Sequence, residues 1–141
     1  HVARRDGAPV PPDSVAAELP SFLRPAGGVH MSLGDWSRFV ADHVSGEAGD
    51  GALLSKETYV RLHTPAPGVD QPYACGWGAP MRRGRRALTH LGNNTLWTAG
   101  VSAYPETGYV ILHATNDGRA SSALGAFEGV EERLRTRYPD L

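Results

Sequence analysis

Two apolar segments, residues 97–104 and 108–115, constrain the fold of this chain most strongly. Each alternates apolar with other side chains at a period of two, which is the pattern of a β-strand. The link Pro105–Gly108 is short enough for an antiparallel turn, and its glycine can take the positive φ that such a turn favours. Apolar residues occupy both faces of the second segment, because Ile111 lies out of phase with its apolar neighbours. The pair therefore predicts a sheet that helices cover on both sides.

The segments before and after these strands have apolar residues at helical spacing. Ser32 with Asp35 forms a capping-box-like start for the first helix, and Ser55 is a suitable N-cap for the second. The predicted fold is mixed α/β, of the α+β class, with an antiparallel sheet of about four strands flanked by helices. The predicted elements are helices over residues 33–45, 55–63 and 119–137 and strands over residues 73–79, 87–92, 97–104 and 108–115.

The predicted C-terminal helix is amphipathic. Leu124, Phe127 and Leu134 fall at helical spacing with Val130 or Glu131 between them, so one face is apolar. Charged residues occupy the other faces, and the sequence favours a solvated surface there.

Composition bounds the class of protein. The chain has 141 residues, of which 40% are hydrophobic and 21% charged, as is ordinary for one globular domain. A net charge of −1 gives no basis for binding nucleic acid or anionic membranes, and no apolar run approaches the ~18 residues of a membrane span. Prolines and glycines suppress regular structure in residues 1–28. We therefore expect a connecting segment there and the domain over residues 29–141.

Histidines are the main candidates for chemistry in this sequence. The six of them lack the short spacings of metal-ligand motifs, so the sequence predicts neither a metal nor another cofactor. His43, His63 and His113 lie in apolar stretches and favour positions in or near the core. His90 differs, because it shares a predicted strand face with Gly92, over which a ligand can approach the backbone closely.

Four arginines, at positions 82, 83, 85 and 86, surround Gly84 between two predicted strands. They fit either an anion site or a solvated hairpin tip. The sequence favours the hairpin tip.

The segment His90-Leu91-Gly92 resembles the third active-site motif of the serine β-lactamase and penicillin-binding-protein family, in which a Lys or His and a Gly lie on a strand beside the site. Further segments resemble class C β-lactamases and their esterase and peptidase relatives in the same order, over roughly residues 22–138. These segments are Pro25–Ser32 with Asp35, Arg38 and Phe39; Leu53–Ser55 with Leu62–Pro65; Tyr73 with Gly76–Gly78; and Tyr104–Val110 with Thr115 and Asn116.

Two other motifs of that family are absent from the sequence. The Ser-x-x-Lys nucleophile motif requires a lysine, and the single lysine, Lys56, has Leu53 at the serine position; no Tyr-x-Asn or Ser-x-Asn motif is found. The resemblance thus implies the C-terminal part of a larger serine hydrolase, inactive alone because it lacks the nucleophile. Leu91 replaces a hydroxyl residue of the β-lactamases, which weakens the case for β-lactam hydrolysis and leaves esterase, amidase or peptidase activity open.

The resemblance also implies roles for individual residues. His90 would supply polarity or positive charge for the substrate or oxyanion, and the backbone N–H of Asn93 would be one oxyanion donor. Leu91, Gly92 and Asn94 would line the site of a small acyl substrate, which is an ester, an amide or a β-lactam.

In the resembled fold, the last strand pairs with a strand from the N-terminal part, so residues 108–115 would form an open edge here. We expect that edge to bind the missing N-terminal part or to pair two copies into a homo-oligomer. The alternative is a non-catalytic binding or interaction module with the same fold, and an upstream Ser-x-x-Lys would decide between the two. The resemblance leaves the compartment open among periplasm, extracellular space and cytoplasm.

Overall fold

The computed structural model describes residues 9–11 and 19–140. The helices are α1 Arg24–Gly27, α2 Leu33–Ala48, α3 Lys56–Leu62 and α4 Ala120–Arg137, and the strands are β1 Met81–Arg82, β2 Arg85–Arg86, β3 Leu88–Asn93, β4 Thr98–Tyr104 and β5 Tyr109–Thr115. The strands β3, β4 and β5 form one antiparallel sheet in that order, and β1 pairs with β2 in a second. The predicted α+β class is confirmed. Among the described residues, we find no helix with the length and the hydrophobicity that a membrane span requires.

Part of the predicted connecting segment is helical. A 3-10 turn spans Ser21–Leu23, and α1 follows it directly. Pro25 is compatible with α1 because a proline in the first helical turn removes no intrahelical hydrogen bond. Residues 1–8 and 12–18 of this segment lie outside the described residues.

Side-chain caps define where α2 and α3 begin. The hydroxyls of Ser32 and Ser55 each accept a hydrogen bond from the N–H three residues ahead, at 3.1 and 3.4 Å. Both are the caps that the sequence predicts. The helix α2 is longer than predicted, because it continues through Gly46 and ends before Gly49, whose φ of 109° is left-handed.

The side chain of Tyr59 in α3 packs against Gly46 and explains why α2 has a glycine at this position. The Tyr59 side chain is fully buried, and a Cβ at either Gly46 or Gly51 would overlap its ring. The Tyr59 hydroxyl donates to the Asp42 carboxylate and accepts from the backbone N–H groups of residues 53 and 54, at 3.3 and 3.2 Å. Close packing and hydrogen bonds at one tyrosine therefore join α2 to α3.

The prediction of a strand over residues 73–79 is wrong. Gly76 has a φ of 81°, and hydrogen bonds within residues 74–77 turn the chain back on itself. Strand-like pairing remains at Gly78, which exchanges two backbone hydrogen bonds with Thr89, at 2.7 and 2.8 Å. Residues 74–77 therefore form a turn instead of a strand, and the pairing of Gly78 with Thr89 connects this turn to β3.

The basic segment forms the hairpin of β1 and β2, with Arg83 and Gly84 at positive φ in its turn. Three of its arginines are bonded to groups of the protein. The partners are the Ser102 hydroxyl for Arg82, the Asp140 carbonyl for Arg85 and the Glu47 carboxylate for Arg86. The hairpin is as predicted, but these guanidinium groups are held by protein atoms and are not simply solvated.

Two compact units divide the chain. One comprises residues 32–90, 101–112 and 140, and its core joins α2 to strand residues of β3, β4 and β5. The buried members of that core are Val40, Val44, Trp77, Leu88, Val101 and Ala103, against which Trp36, Val110 and Leu112 pack. The apolar residues that alternate along β4 and β5 therefore include members of this core, among them Val101 and Ala103 of β4 and Val110 and Leu112 of β5.

The other unit comprises residues 1–31, 91–100 and 113–139, as far as these are described. Within it, Glu131 of α4 is 5% exposed and lies 3.4 Å from His113 and 3.0 Å from Arg135. The His113 ring stacks on Phe127 with 4.4 Å between centroids. Of the two residues left open by the sequence, Glu131 faces inward and Val130 is exposed. The prediction that Glu131 lies on the solvated surface of the helix is therefore wrong. His113 and Arg135 supply the partners that a buried carboxylate requires.

Candidate functional site

His90 lies on the exposed part of β3, and one of its ring nitrogens is fixed. Nδ1 is 2.7 Å from the carbonyl oxygen of Gly76. A carbonyl oxygen accepts hydrogen bonds only, so Nδ1 carries a proton and donates it. In the neutral ring, Nε2 then holds the lone pair and remains the basic nitrogen.

The turn around Gly76 is held in place on two sides. On one side, Gly78 is paired with Thr89, the residue before the histidine. On the other, the Cys75 N–H donates to the carbonyl of Leu62 at the end of α3, at 3.2 Å. The carbonyl that fixes Nδ1 is therefore itself fixed by backbone hydrogen bonds. Sequence reasoning identified the histidine but not this partner, because the positive φ at Gly76 is visible only in the folded chain.

Gly92 and Leu91 present an open surface. A Cβ at Gly92 would meet a single atom within 4 Å, the carbonyl oxygen of Ala99 at 4.0 Å. Leu91 is 42% exposed. Packing within the described residues therefore does not require a glycine at position 92, nor does it cover the leucine.

The Asn93 side chain holds the loop that follows β3. Its Nδ2 donates to the Thr98 hydroxyl at 2.7 Å and to the Gly118 carbonyl at 3.0 Å. Its Oδ1 accepts from the N–H of Thr95 at 2.7 Å, and Thr95 has a left-handed φ of 72°. This network fixes the position of Asn93, whose backbone N–H is the expected oxyanion donor.

Asn94 caps the same loop. Its Oδ1 accepts from the N–H of Leu96 at 3.2 Å and from the N–H of Trp97 at 2.8 Å. Asparagine oxygens stabilise turns in this way. A substrate that binds through this oxygen would have to displace a hydrogen bond of the turn.

The serine hydroxyls at positions 32, 55 and 102 have structural partners. Ser32 and Ser55 cap helices, and the buried Ser102 accepts a hydrogen bond from Arg82 at 3.3 Å. These contacts agree with the sequence, in which none of the three lies in a Ser-x-x-Lys motif.

A group of polar side chains, in which two buried histidines contact the half-buried Glu47 and Arg86, links α2, α3 and β2. Sequence reasoning missed this group. His43 Nδ1 is 2.8 Å from His63 Nε2, and His63 Nδ1 is 2.6 Å from Glu47 Oε1. The other Glu47 oxygen accepts from Arg86. These four residues are termed the histidine cluster. The spacing of His43 and Glu47 places both on one face of α2, but their partners come from elsewhere in the chain.

The two histidines of the cluster are buried, as the sequence predicts. His43 is 7% exposed and His63 is 1% exposed. The Trp77 ring lies 5.2 Å from the His43 ring and 5.7 Å from the His63 ring, centroid to centroid, and Phe39 lies 4.6 Å from His43. Among residues 9–11 and 19–140, no three His, Cys, Asp or Glu side chains are placed to hold a metal ion.

Burial governs the protonation of the cluster. It lowers the pKa of His43 below its usual value, and the neighbouring His63 lowers the pKa further, while Asp42 opposes both. Burial raises the pKa of Glu47, but hydrogen bonds from His63 and Arg86 outweigh it, so the pKa lies below its usual value. The cluster therefore favours an ionised carboxylate and a neutral His43.

In comparisons with known proteins, the chain matches no family model and no curated sequence. The resemblance carried by His90, Leu91 and Gly92 therefore stays a prediction.

Proposed function

We propose that this chain is the C-terminal part of a serine hydrolase of the β-lactamase and penicillin-binding-protein type, and that β3 lines its substrate site. The observation that best supports the proposal is the state of His90. Its Nδ1 is tied to the Gly76 carbonyl while the residue stays exposed. A ring held by one nitrogen presents the other in a defined direction, as a positioned base or hydrogen-bonding group must.

The open surface at Gly92 supports the same assignment. Because the described residues do not fill the space above Gly92, another molecule or another part of the protein can approach the backbone there. The exposed Leu91 gives this surface an apolar element suited to the acyl group of an ester, an amide or a β-lactam.

In the proposed enzyme, His90 and the backbone N–H of Asn93 assist a nucleophile supplied by the N-terminal part. Positioned acid–base help contributes ~10²–10⁴ in rate, and one oxyanion donor contributes ~10²–10³. Both factors multiply the rate of a nucleophile. The proposal therefore assigns no acyl transfer to residues 1–141 alone.

The strand β5 is the proposed contact with the N-terminal part. It is the last strand of its sheet, so its outer backbone edge has no strand neighbour among the described residues. Such edges pair readily with another strand. In the absence of the N-terminal part, we expect the same edge to pair two copies of the chain.

The second candidate is a non-catalytic binding or interaction module with the same fold. The contacts of Asn93 and Asn94 favour it, because both side chains stabilise a loop. The exposed β3 surface would then recognise a ligand without reacting with it. The two candidates differ in one feature, an upstream Ser-x-x-Lys motif in the complete gene.

The test is active-site labelling of the protein encoded by the longest reading frame, beside residues 1–141 alone. Both are treated with a fluorophosphonate and with a labelled penicillin, and the site of attachment is mapped. The hydrolase proposal predicts labelling of an upstream serine followed three residues later by lysine, and no labelling of residues 1–141. Labelling of Ser32, Ser55 or Ser102 would contradict it. A complete gene without the motif and a protein without label would favour the binding module.

A further inference from the structure

We propose that the histidine cluster is an acid-sensitive link between α2 and α3, which is intact at neutral pH and breaks when both of its histidines are protonated. The proposal concerns the fold itself and does not depend on the proposed hydrolase function. It rests on which nitrogens face each other inside the protein.

The hydrogen bonds of the pair fix its possible proton arrangements. A carboxylate accepts, so Nδ1 of His63 donates to Glu47 and leaves Nε2 to bond with His43. With both rings neutral, Nε2 of His63 accepts from Nδ1–H of His43. One added proton preserves this bond. On His43 it enters at Nε2, away from the bond, and on His63 it enters at Nε2 and requires His43 to carry its hydrogen on Nε2 instead of Nδ1. A second proton places N–H against N–H across 2.8 Å, and no hydrogen bond is then possible.

The surroundings compensate a doubly charged pair only in part. The ring centroids are 5.0 Å apart, so two positive charges would repel each other inside the protein. The carboxylates near the pair already have other partners. Asp42 of α2 is bonded to Tyr59 of α3 and to the Ala52 N–H, and Glu47 of α2 is shared between His63 and Arg86 of β2. The aromatic rings beside the pair, those of Phe39, Tyr59 and Trp77, are uncharged.

The sign of the pH dependence follows from His43. Because burial lowers its pKa below the ordinary value of 6.5, the unfolded chain binds this proton more readily than the folded protein. The resulting stability is complete above pH 6.5 and is lost as the pH falls from 6.5 towards the folded pKa. One proton changes the unfolding equilibrium by at most about tenfold per pH unit in that window. Glu47, whose pKa is also lowered, adds a loss of the same sign below its ordinary value of 4.5.

The link also affects the surroundings of His90. His63 directly follows Leu62, whose carbonyl accepts a hydrogen bond from the Cys75 N–H. Gly76, which follows Cys75, supplies the carbonyl bonded to His90. A displacement of His63 would therefore be transmitted to the turn that holds the His90 ring.

The test compares urea unfolding of the chain at pH 7.5, 6.5 and 5.5 with that of two variants. His43→Gln removes the titrating ring while keeping an amide that can donate to His63. His30→Gln is the matched control, because His30 is exposed and its bond within the described residues is to the nearby Gly28 carbonyl. We expect the unfolding equilibrium of the unaltered chain and of His30→Gln to rise severalfold between pH 6.5 and 5.5, and that of His43→Gln to rise clearly less. An equal rise in all three proteins would overturn the proposal.

A second measurement applies if His43→Gln does not fold. In the unaltered chain labelled with ¹³C-histidine, NMR follows both rings together with the indole of Trp77 as the pH is lowered. The proposal predicts that the second proton on the pair arrives together with a change in the Trp77 signal. It is overturned if His43 takes up its proton at or above pH 6.5, or if both rings become charged while the Trp77 and α3 signals stay unchanged.

Discussion

The exposed strand around His90 and the buried histidine cluster use the same residue type in opposite ways. His90 lies on an exposed strand and has one ring nitrogen bonded to a backbone carbonyl, whereas His63 has both of its ring nitrogens bonded inside the protein. A histidine of the first kind can be changed with little effect on folding, because few contacts depend on it. A histidine of the second kind connects two helices, and its loss leaves buried polar atoms without partners. The comparison separates a candidate for chemistry from a determinant of stability.

The largest expected effect is at the contact between α2 and Tyr59. Gly46→Ala places a methyl group in the Tyr59 ring, and overpacking of this kind costs about 3 kcal/mol or more in the free energy of unfolding. The matched control is Gly125→Ala in α4, where the added Cβ meets nothing within 4 Å. There, the better helix propensity of alanine should stabilise the protein by about 0.5–1 kcal/mol. Urea unfolding measures both, and equal effects of the two substitutions would refute the tight packing at Gly46.

Removal of the carboxylate from the histidine cluster should have the next largest effect. Glu47→Ala leaves the buried His63 and the partly exposed Arg86 without their shared partner, and a buried polar group left unpaired costs about 1–3 kcal/mol. Glu128→Ala, on the exposed surface of α4, should change stability by less than about 0.5 kcal/mol. Thermal unfolding of both variants at pH 7.5 gives the comparison. If Glu47→Ala were as mild as its control, the cluster would not contribute to stability.

A smaller and more specific effect is expected at the turn that holds His90. Gly76→Ala and Gly68→Ala both place alanine at a left-handed φ with open space around the new Cβ, so each should cost about 1–2 kcal/mol. Only Gly76 bonds to His90, so only Gly76→Ala should alter the ¹⁵N shift of His90 Nδ1 in an NMR spectrum. A change of that shift in both variants, or in neither, would show that the Gly76 carbonyl does not fix the ring.

Local patterns predicted most of the secondary structure. Period-two alternation identified β4 and β5, and serine caps identified the starts of α2 and α3, because these signals lie within a few residues of one another. The prediction for residues 73–79 was wrong because the apolar residues there suggested a strand, whereas Gly76 takes a left-handed conformation that turns the chain. The sequence also stopped α2 too early at Gly46, since the ring that fits against this glycine comes from a different helix.

The histidine cluster could not be predicted from the sequence for a similar reason. His43 and His63 were correctly expected in the core, but their hydrogen bond joins residues 20 positions apart, and Arg86 reaches Glu47 from a hairpin. No local spacing encodes such contacts. Glu131 shows the same limit, because its burial depends on His113 from a strand. The strand around His90 was accessible from sequence, since His90 and Gly92 lie within one element.

The most direct test of the separation between these two regions is kcat/KM of His90→Ala in the protein encoded by the longest reading frame. The account predicts a decrease of about ten- to a thousandfold for an ester or amide substrate, the range expected for lost acid–base or electrostatic help, with the free energy of unfolding changed by less than about 0.5 kcal/mol. An unchanged kcat/KM in a correctly folded variant would contradict the assignment of His90 to the substrate site.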